Sequence, residues 1–273
     1  MTLKPISLRS YFFDELEPIF GLSETTAMWK HFSIYKLKSN RLDEDLKSVI
    51  PRIKDNYPIQ YITGETAFYD VLLKVTPEVL IPRPETEELV DWIIKDHKSV
   101  SGLSILDIGT GSGCIIITLA KHLHCEITTG IDVSESALDI AKYNAEQCGV
   151  RVSFDQVDIL ATKPSHLSKV DILVSNPPYI SQTERRQMTR STLKHEPDVA
   201  LFGPDKNPLY FYEWIAKNGV DLLKTNGSIY VELNALAYIE IKSIFDRYNW
   251  KTEMRKDIYG NWRMLKAVCN GEE

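Results

Sequence analysis

Cysteine is scarce in this 273-residue chain. Cys114, Cys125, Cys148 and Cys269 are scattered, with no CxxC and no Cys/His set at ligand spacing. A disulfide scaffold and a zinc site are therefore excluded as organising devices, and no metal is expected. Long apolar runs are missing too, since none approaches the ~20 residues a membrane helix requires. The opening stretch, MTLKPISLRSYFFDELEPIF, carries acids among its apolar residues and has no small-residue cleavage site. It does not read as a secretion signal, so a reduced, cytoplasmic setting is expected. A basic surplus is also absent: 32 Lys and Arg stand against 38 Asp and Glu, for a net charge of −6. A protein that tracks nucleic-acid phosphates shows the opposite balance, so stable nucleic-acid binding is not expected. What is present is ordinary for a folded protein, 43% hydrophobic and 26% charged residues, and excludes a disordered chain.

The chain reads in three parts. From residue 1 to 56 the apolar residues fall at helical spacing: Leu8, Tyr11, Phe12, Leu16, Ile19 and Phe20, then Met28, Phe32 and Tyr35, then Leu42, Leu46, Val49, Ile50 and Ile53. Gly21, Pro51 and Pro58 punctuate the series, and Ser23 and Asp43 suit N-caps. A small helical bundle is expected. Residues 57–83 are rich in Pro and β-branched residues and suggest a hairpin-bearing linker. Pro84 then opens a helix with Glu85, Glu87 and Glu88 in its first turn, where the macrodipole favours acids. Its buried stripe is expected to be Leu89, Val90, Ile93 and Ile94.

Beyond Leu103 short apolar runs (LSILDIG, EITTGID, VSFDQVD, VDILVSN, SIYVEL) alternate with segments of helical period. Alternation of this kind implies βαβ units and a parallel sheet covered on both faces. The end differs: KTEMRKDI and WRMLKAVC flank Tyr259-Gly260-Asn261 and should form an antiparallel hairpin. The region 84–273 is thus expected to be one α/β domain.

In such a sheet, ligands bind at the carboxyl ends of the strands, so the residues ending each strand are the candidates. The first strand ends in Asp107-Ile-Gly109-Thr110-Gly111-Ser112-Gly113 and runs into a helix. These glycines let the backbone turn tightly and approach a ligand. The spacing is GxGxG, not the dinucleotide GxGxxG, and the loop has no lysine to serve a Walker-type cradle. The second strand ends in Gly130-Ile-Asp132, whose carboxylate can accept bonds from both hydroxyls of a ribose. The third ends in Val157-Asp158-Ile159: an acid able to accept from an amino group, and an apolar face for a ring. Asp158 has an equal claim as a plain turn residue. The fourth ends in Ser175-Asn176-Pro177-Pro178-Tyr179. A Pro-Pro step pins the backbone and withdraws two donors, freeing carbonyls to accept. With the Asn176 carbonyl and the flat face of Tyr179, the run suits a planar NH2 group.

Four runs, PIQYITGETAFYDVLLKVTPEVLIPRPETEELV (Pro58–Val90), DIGTGSGC (Asp107–Cys114), DILVSNPPYI (Asp171–Ile180) and HEPDVALFG (His195–Gly203), resemble segments of one family in the family's order. It is the peptide chain release factor N5-glutamine methyltransferases, the PrmC/HemK family of class I S-adenosylmethionine-dependent methyltransferases. The resemblance covers nearly the whole chain. It implies a Rossmann-like, mostly parallel seven-stranded sheet with the last strand inserted antiparallel, behind a small N-terminal helical domain that docks the substrate. It also implies S-adenosyl-L-methionine as cofactor and the glutamine of a Gly-Gly-Gln motif in class I release factors as substrate. Gly109, Thr110, Gly111, Ser112 and Gly113 would line the methionine portion of the cofactor. Asp132 would bind the ribose, Asp158 and Ile159 the adenine, and Asn176 would lie beside the methyl donor. Asn176, Pro177, Pro178 and Tyr179 would hold the glutamine amide, with Asn176, Pro177 and Tyr179 catalytic. Pro82 and Arg83 would cover the cofactor pocket.

Three places depart from the family pattern: Ile159 where many relatives have an aromatic, Gly203-Pro204 followed by Asp205-Lys206, and Gly260-Asn261-Trp262-Arg263 where an Asp often precedes the Arg. The rival reading is a nucleic-acid adenine-N6 methyltransferase, which would use the same NPPY pocket after flipping the base. A second rival is a methyltransferase fold reduced to a binding scaffold. Among other residues, His122 and His124 are expected at the surface, and Tyr210, Phe211, Tyr212 and Trp214 in the core or the cleft wall. Arg185, Arg186 and Arg190 are expected on a solvated face.

Overall fold

The computed structural model describes residues 5–36, 42–161, 167–181, 183–188, 190–203 and 207–269. Helix α1 (Pro5–Lys36) and helix α2 (Leu42–Lys54) share a core of their own, built on Phe12, Leu16, Phe32, Leu46, Ile50 and Ile53. Tyr11 and Ile19, which the spacing also placed inside, are exposed. α1 is two helical stretches joined at Gly21 (φ 78°, ψ 166°), a conformation that favours a residue without Cβ. Pro51 does not break α2 but lies within it, three residues before its end. There the ring removes one backbone bond shortly before the helix stops, so the loss is small.

A short helix α3 (Ile59–Thr63) opens the linker and precedes the hairpin of β1 (Glu65–Phe68) and β2 (Val71–Lys74). Helix α4 (Pro84–His97) begins at its proline and buries Thr86, Leu89, Val90, Trp92 and Ile93. Trp92 joins the expected stripe and Ile94 stays at its margin.

The remaining strands are β3 (Ser101–Ile108), β4 (His124–Asp132), β5 (Ser153–Gln156), β6 (Val170–Ser175), β7 (Leu223–Glu232), β8 (Trp250–Lys256) and β9 (Trp262–Cys269). Between them run α5 (Cys114–His122), α6 (Glu135–Cys148), α7 (Arg190–His195), α8 (Asp198–Leu201), α9 (Tyr210–Leu222) and α10 (Tyr238–Arg247). The sheet has seven strands in the order β5-β4-β3-β6-β7-β9-β8, parallel except for β9, which lies antiparallel to both of its neighbours. Both faces are covered. One core gathers Tyr212, Ile215, Phe245 and Trp250 from the α9–α10 side. The other gathers Leu89, Trp92, Ile116 and Tyr230 on the α4–α5 side.

Strand order reverses at β3, which is flanked by β4 and β6, and a ligand crevice forms at such a switch point. Register then aligns the strand ends. Ile108 of β3 pairs with Ile131 of β4 and with Ser175 of β6, and Ser175 pairs in turn with Val231 of β7. Gly109, Asp132, Asn176 and Glu232 are the residues that follow, so one register line brings all four to the same edge.

Candidate active site

The glycine loop is held from behind. Gly109 (φ 74°) and Gly111 (φ 54°) occupy the left-handed region that a side chain resists, and this swings the loop off the end of β3. Thr110 turns inward, where its Oγ1 donates to Asp107 Oδ2 at 2.7 Å. A Cβ on Gly130 would sit 2.9 Å from that Oγ1, so glycine is required there for the loop to close on β4. Asp107 is fully buried, its Oδ1 has no hydrogen-bond partner among the described residues, and burial pushes its carboxyl up to about 7.

Asp132 grips the loop from the next strand: Oδ2 accepts from Gly111 N at 2.9 Å and Oδ1 from Ser134 N at 3.0 Å. Burial raises its pKa, and those two bonds oppose the rise. Gly109, Gly111 and Asp132 line a cavity of about 280 Å³, with Val157, Asp158 and Ile159 along one side. The three other loop residues are turned away from it. Thr110 and Ser112 are buried, and Gly113 packs on Ile117 and Ala141. Asp158 Oδ1 accepts from Leu160 N at 2.9 Å and Ala161 N at 3.3 Å, which is its turn-forming role. The cavity is covered by Glu78, Val79 and Leu80 of the linker and by Val199, Ala200 and Phe211. Pro82 and Arg83, expected as this cover, sit elsewhere: Arg83 lines a second, larger cleft and pairs there with the buried Glu196 at 2.5 Å. The segment after Val75 reaches the cavity two to four residues before the Pro-Arg step.

The second cleft, about 840 Å³, runs between Phe20, Met28 and His31 of α1 and the Asn176–Tyr179 run. Asn176 and Pro177 line both spaces, Pro178 the smaller and Tyr179 the larger. The two clefts meet at the start of the NPPY run. Ser175 Oγ anchors that run by donating to Ile108 O at 2.8 Å. Asn176 Nδ2 donates to Thr86 Oγ1 at 3.2 Å, while its Oδ1 accepts from nothing among the described residues. Thr86 Oγ1 donates to Glu232 Oε2 at 2.5 Å, and Tyr179 OH donates to Glu232 Oε1 at 3.0 Å. Glu232 is buried, which raises its pKa against the pull of those two donors. Burial likewise raises the Tyr179 phenol, and the neighbouring Glu232 adds to it.

Thr86 and Glu232 were not among the sequence candidates. Thr86 lies in the first turn of α4, where nothing local marks it. Glu232 carries a usable signal, a lone acid closing the apolar run IYV of β7. Arg263 also comes to this edge from the terminal hairpin. Its Nε donates to Asp257 Oδ2 at 3.2 Å and its Nη1 to Leu233 O at 3.3 Å. The acid missing before Arg263 is thus replaced by one six residues earlier. At the other departure, Gly203 is pressed against Pro208, and Pro204, Asp205 and Lys206 lie outside the described residues.

The remaining candidates are structural. His122 Nε2 lies 2.9 Å from Asp70 Oδ1 at the surface, and His124 is exposed. Tyr212 is buried and donates to Glu232 O at 2.9 Å, Trp214 packs on the core, and Tyr210 is exposed. Arg185 pairs with Asp198 at 3.7 Å and stacks over Phe202; the side chain of Arg190 lies outside the described residues. Among the described residues no His, Cys, Asp and Glu cluster is arranged to hold a metal, and no helix is long and apolar enough to cross a membrane.

A family model described as a methyltransferase domain matches residues 99–245. The release factor glutamine methyltransferase of Flavobacterium psychrophilum is 44% identical over 225 residues, covering 81% of this chain and 79% of that protein. That of Bacteroides thetaiotaomicron is 43% identical over 225 residues, with 82% and 80% covered. Among solved structures, a methyltransferase from Pyrococcus furiosus matches with a TM-score of 0.55 at 19% identity, covering 81% of this chain and 98% of that one. The Thermus thermophilus 16S rRNA N2 G1207 methyltransferase, in complex with AdoMet and guanosine, matches with a TM-score of 0.56 at 14% identity. It covers 76% of this chain and 50% of that one. These two show the shared fold.

Proposed function

The chain belongs to the release factor glutamine methyltransferases, and from that premise we propose what it acts on and how. It transfers a methyl group from S-adenosyl-L-methionine to the side-chain amide nitrogen, N5, of the glutamine in the Gly-Gly-Gln motif of class I release factors. The observation that carries this reading is that two spaces of different size share Asn176 and Pro177. One, about 280 Å³, lies between the glycine loop and the linker; the other, about 840 Å³, lies between the Asn176–Tyr179 run and α1.

The smaller space fits the cofactor. Its floor offers a carboxylate, Asp132, to accept from the ribose diol. Ile159 and Val157 present an apolar wall for the adenine, with Asp158 beside them. Gly109 and Gly111 allow close approach of the remaining portion, and Thr110, Ser112 and Gly113 hold those two in place from behind. Bound there, the cofactor supplies an electrophilic methyl group.

The protein's part is positioning. An amide nitrogen is a poor nucleophile because its lone pair is delocalised into the carbonyl. Asn176 Oδ1 and the Pro177 carbonyl accept its two N–H bonds, polarise it toward the charge it acquires and aim it at the shared wall. Pro178 stiffens the slot and Tyr179 packs against the amide plane. As the new N–C bond forms the donor's S–C bond would break, the demethylated cofactor being the leaving group, and the nitrogen's released proton passes to water. Residues 1–56, with a core of their own on the far side of the larger cleft, serve as the docking domain. Residues 57–83 are the linker and 84–273 the methyltransferase domain. The reaction belongs in the cytoplasm, where release factors work.

Incubation with methyl-labelled cofactor and either a release factor or duplex DNA tests this. Label should enter the release factor alone, vanish when the motif glutamine is replaced, and fall sharply in Asn176→Ala. Label in DNA adenine, with none in the release factor, would overturn the reading in favour of the adenine-N6 rival.

A further inference from the structure

A buried carboxylate closing an apolar strand needs a physical reason. Glu232 follows Tyr230 and Val231 and precedes Leu233, all three fully buried apolar residues. An edge that only had to pack would continue with an apolar residue, because taking a carboxylate out of water is costly unless its oxygens are bonded. Here both oxygens are bonded: Thr86 Oγ1, itself the partner of Asn176 Nδ2, donates to Oε2, and Tyr179 OH donates to Oε1.

We propose that Glu232 is a positioning residue for methyl transfer, fixing the Asn176 amide through the Thr86 hydroxyl and the Tyr179 ring through its phenol. The proposal rests on the methyl-transfer reading above. A threonine hydroxyl has one proton. With that proton engaged in the bond to Glu232, Thr86 Oγ1 can only accept from Asn176, so it faces Nδ2 and not Oδ1. The amide cannot turn over without setting two acceptors against each other. Oδ1 is therefore left toward the substrate, where an acceptor is needed. Were the Thr86 proton free, either end of the Asn176 amide would satisfy it, and half of those arrangements would present donors to a substrate that is itself a donor. The same carboxylate holds the phenol on the opposite side, so one buried group sets both polar side chains of the slot. Thr86 lines neither cleft, and Glu232 lines the larger cleft but not the smaller. Their effect on cofactor binding should therefore be slight.

Full-length Thr86→Val, Thr86→Ser and Glu232→Gln would be compared with wild type on a release factor. Thr86→Val and Glu232→Gln should each lower kcat by roughly 10- to 100-fold, the scale of a misplaced reacting group. The Kd for S-adenosylmethionine should stay within about threefold, and Thr86→Ser, which keeps the hydroxyl, should recover most of the loss. The double variant should be little worse than Glu232→Gln alone, because both act in one chain. A second measurement needs no substrate: water exchange of the Asn176 Nδ2 protons by 15N NMR, with the resonance identified by its loss in Asn176→Asp. Exchange should be at least about tenfold faster in Thr86→Val and Glu232→Gln than in wild type. Wild-type kcat in Thr86→Val, a kcat loss matched by equal losses of cofactor affinity and Tm, or unchanged exchange would each overturn the proposal. A wild-type enzyme that leaves release factors unmethylated would sink the substrate reading, while the exchange rates would still judge Glu232.

Discussion

Asn144 and Lys74 are bonded to each other in both directions. Asn144 Oδ1 accepts from Lys74 N at 2.8 Å, and its Nδ2 donates to Lys74 O at 3.0 Å. The same Nδ2 donates to Ser112 O at 2.9 Å. One buried amide on α6 thus splices the linker hairpin to the glycine loop as a surrogate strand partner. The linker continues from there to Glu78, Val79 and Leu80 on the smaller cavity, so Asn144 ties their placement to the glycine loop.

Asn144→Ala leaves three backbone groups without that partner. Urea unfolding should show a loss of about 2–3 kcal/mol, the cost of orphaning buried backbone groups. Calorimetry should show weaker S-adenosylmethionine binding. A variant as stable as wild type would mean water replaces the side chain without penalty.

Asp132 should matter more to cofactor affinity than Asp158. Asp132 holds Gly111 N in place as well as facing the cavity, whereas Asp158 spends Oδ1 on its own turn. Removing Asp132 is expected to cost about 1–3 kcal/mol of binding, more than removing Asp158. Calorimetry on the two alanine variants decides it; equal losses would refute the ordering.

The buried Asp107 should make the protein less stable as pH rises from about 4 to about 7. Burial pushes its carboxyl up to about 7, above the ordinary value of 3.8. Between those values the folded chain binds the extra proton, so this group's contribution is full below about 4 and is lost as pH rises through about 7. Asp107→Asn should gain in Tm relative to wild type between pH 5 and pH 8 in the absence of cofactor. A Tm difference that does not change with pH would count against an ionising Asp107.

His31 should act at the acid end. It lies in the wall of the larger cleft, its Nε2 2.9 Å from Thr63 Oγ1, and burial lowers its pKa from 6.5 to about 4. In that window the unfolded chain binds the extra proton, so stability is lost as pH falls from about 6.5 toward 4. Circular dichroism melts of His31→Gln should show a shallower acid decline than wild type. Parallel declines would remove His31 as the cause.

Much of the site was legible because local chemistry announces it. The glycines after Asp107, the acid at 132 and the Pro-Pro step at 177 are turn signals whose meaning survives without their neighbours in space. Alternating runs implied the parallel sheet for the same reason: period two and period 3.6 are properties of a segment alone. Two local features read differently in space. Pro51, a punctuation mark in the sequence, stands inside a helix that carries on three residues past it, and Glu78–Leu80, not Pro82 and Arg83, line the smaller cavity.

By itself, then, the sequence determined the element order, the strand ends and the kind of group the NPPY run can receive. Tertiary structure alone decided which side chains support that run. Asn176 reaches Thr86 across 90 residues and Thr86 reaches Glu232 across 146. No short-range pattern encodes such pairs. They arise because parallel register sets Ser175 beside Val231, and the packing of α4 on the sheet lowers Thr86 between their ends. A buried hydrogen bond is decided where two strand ends and a helix meet, and that meeting exists only once the core has formed.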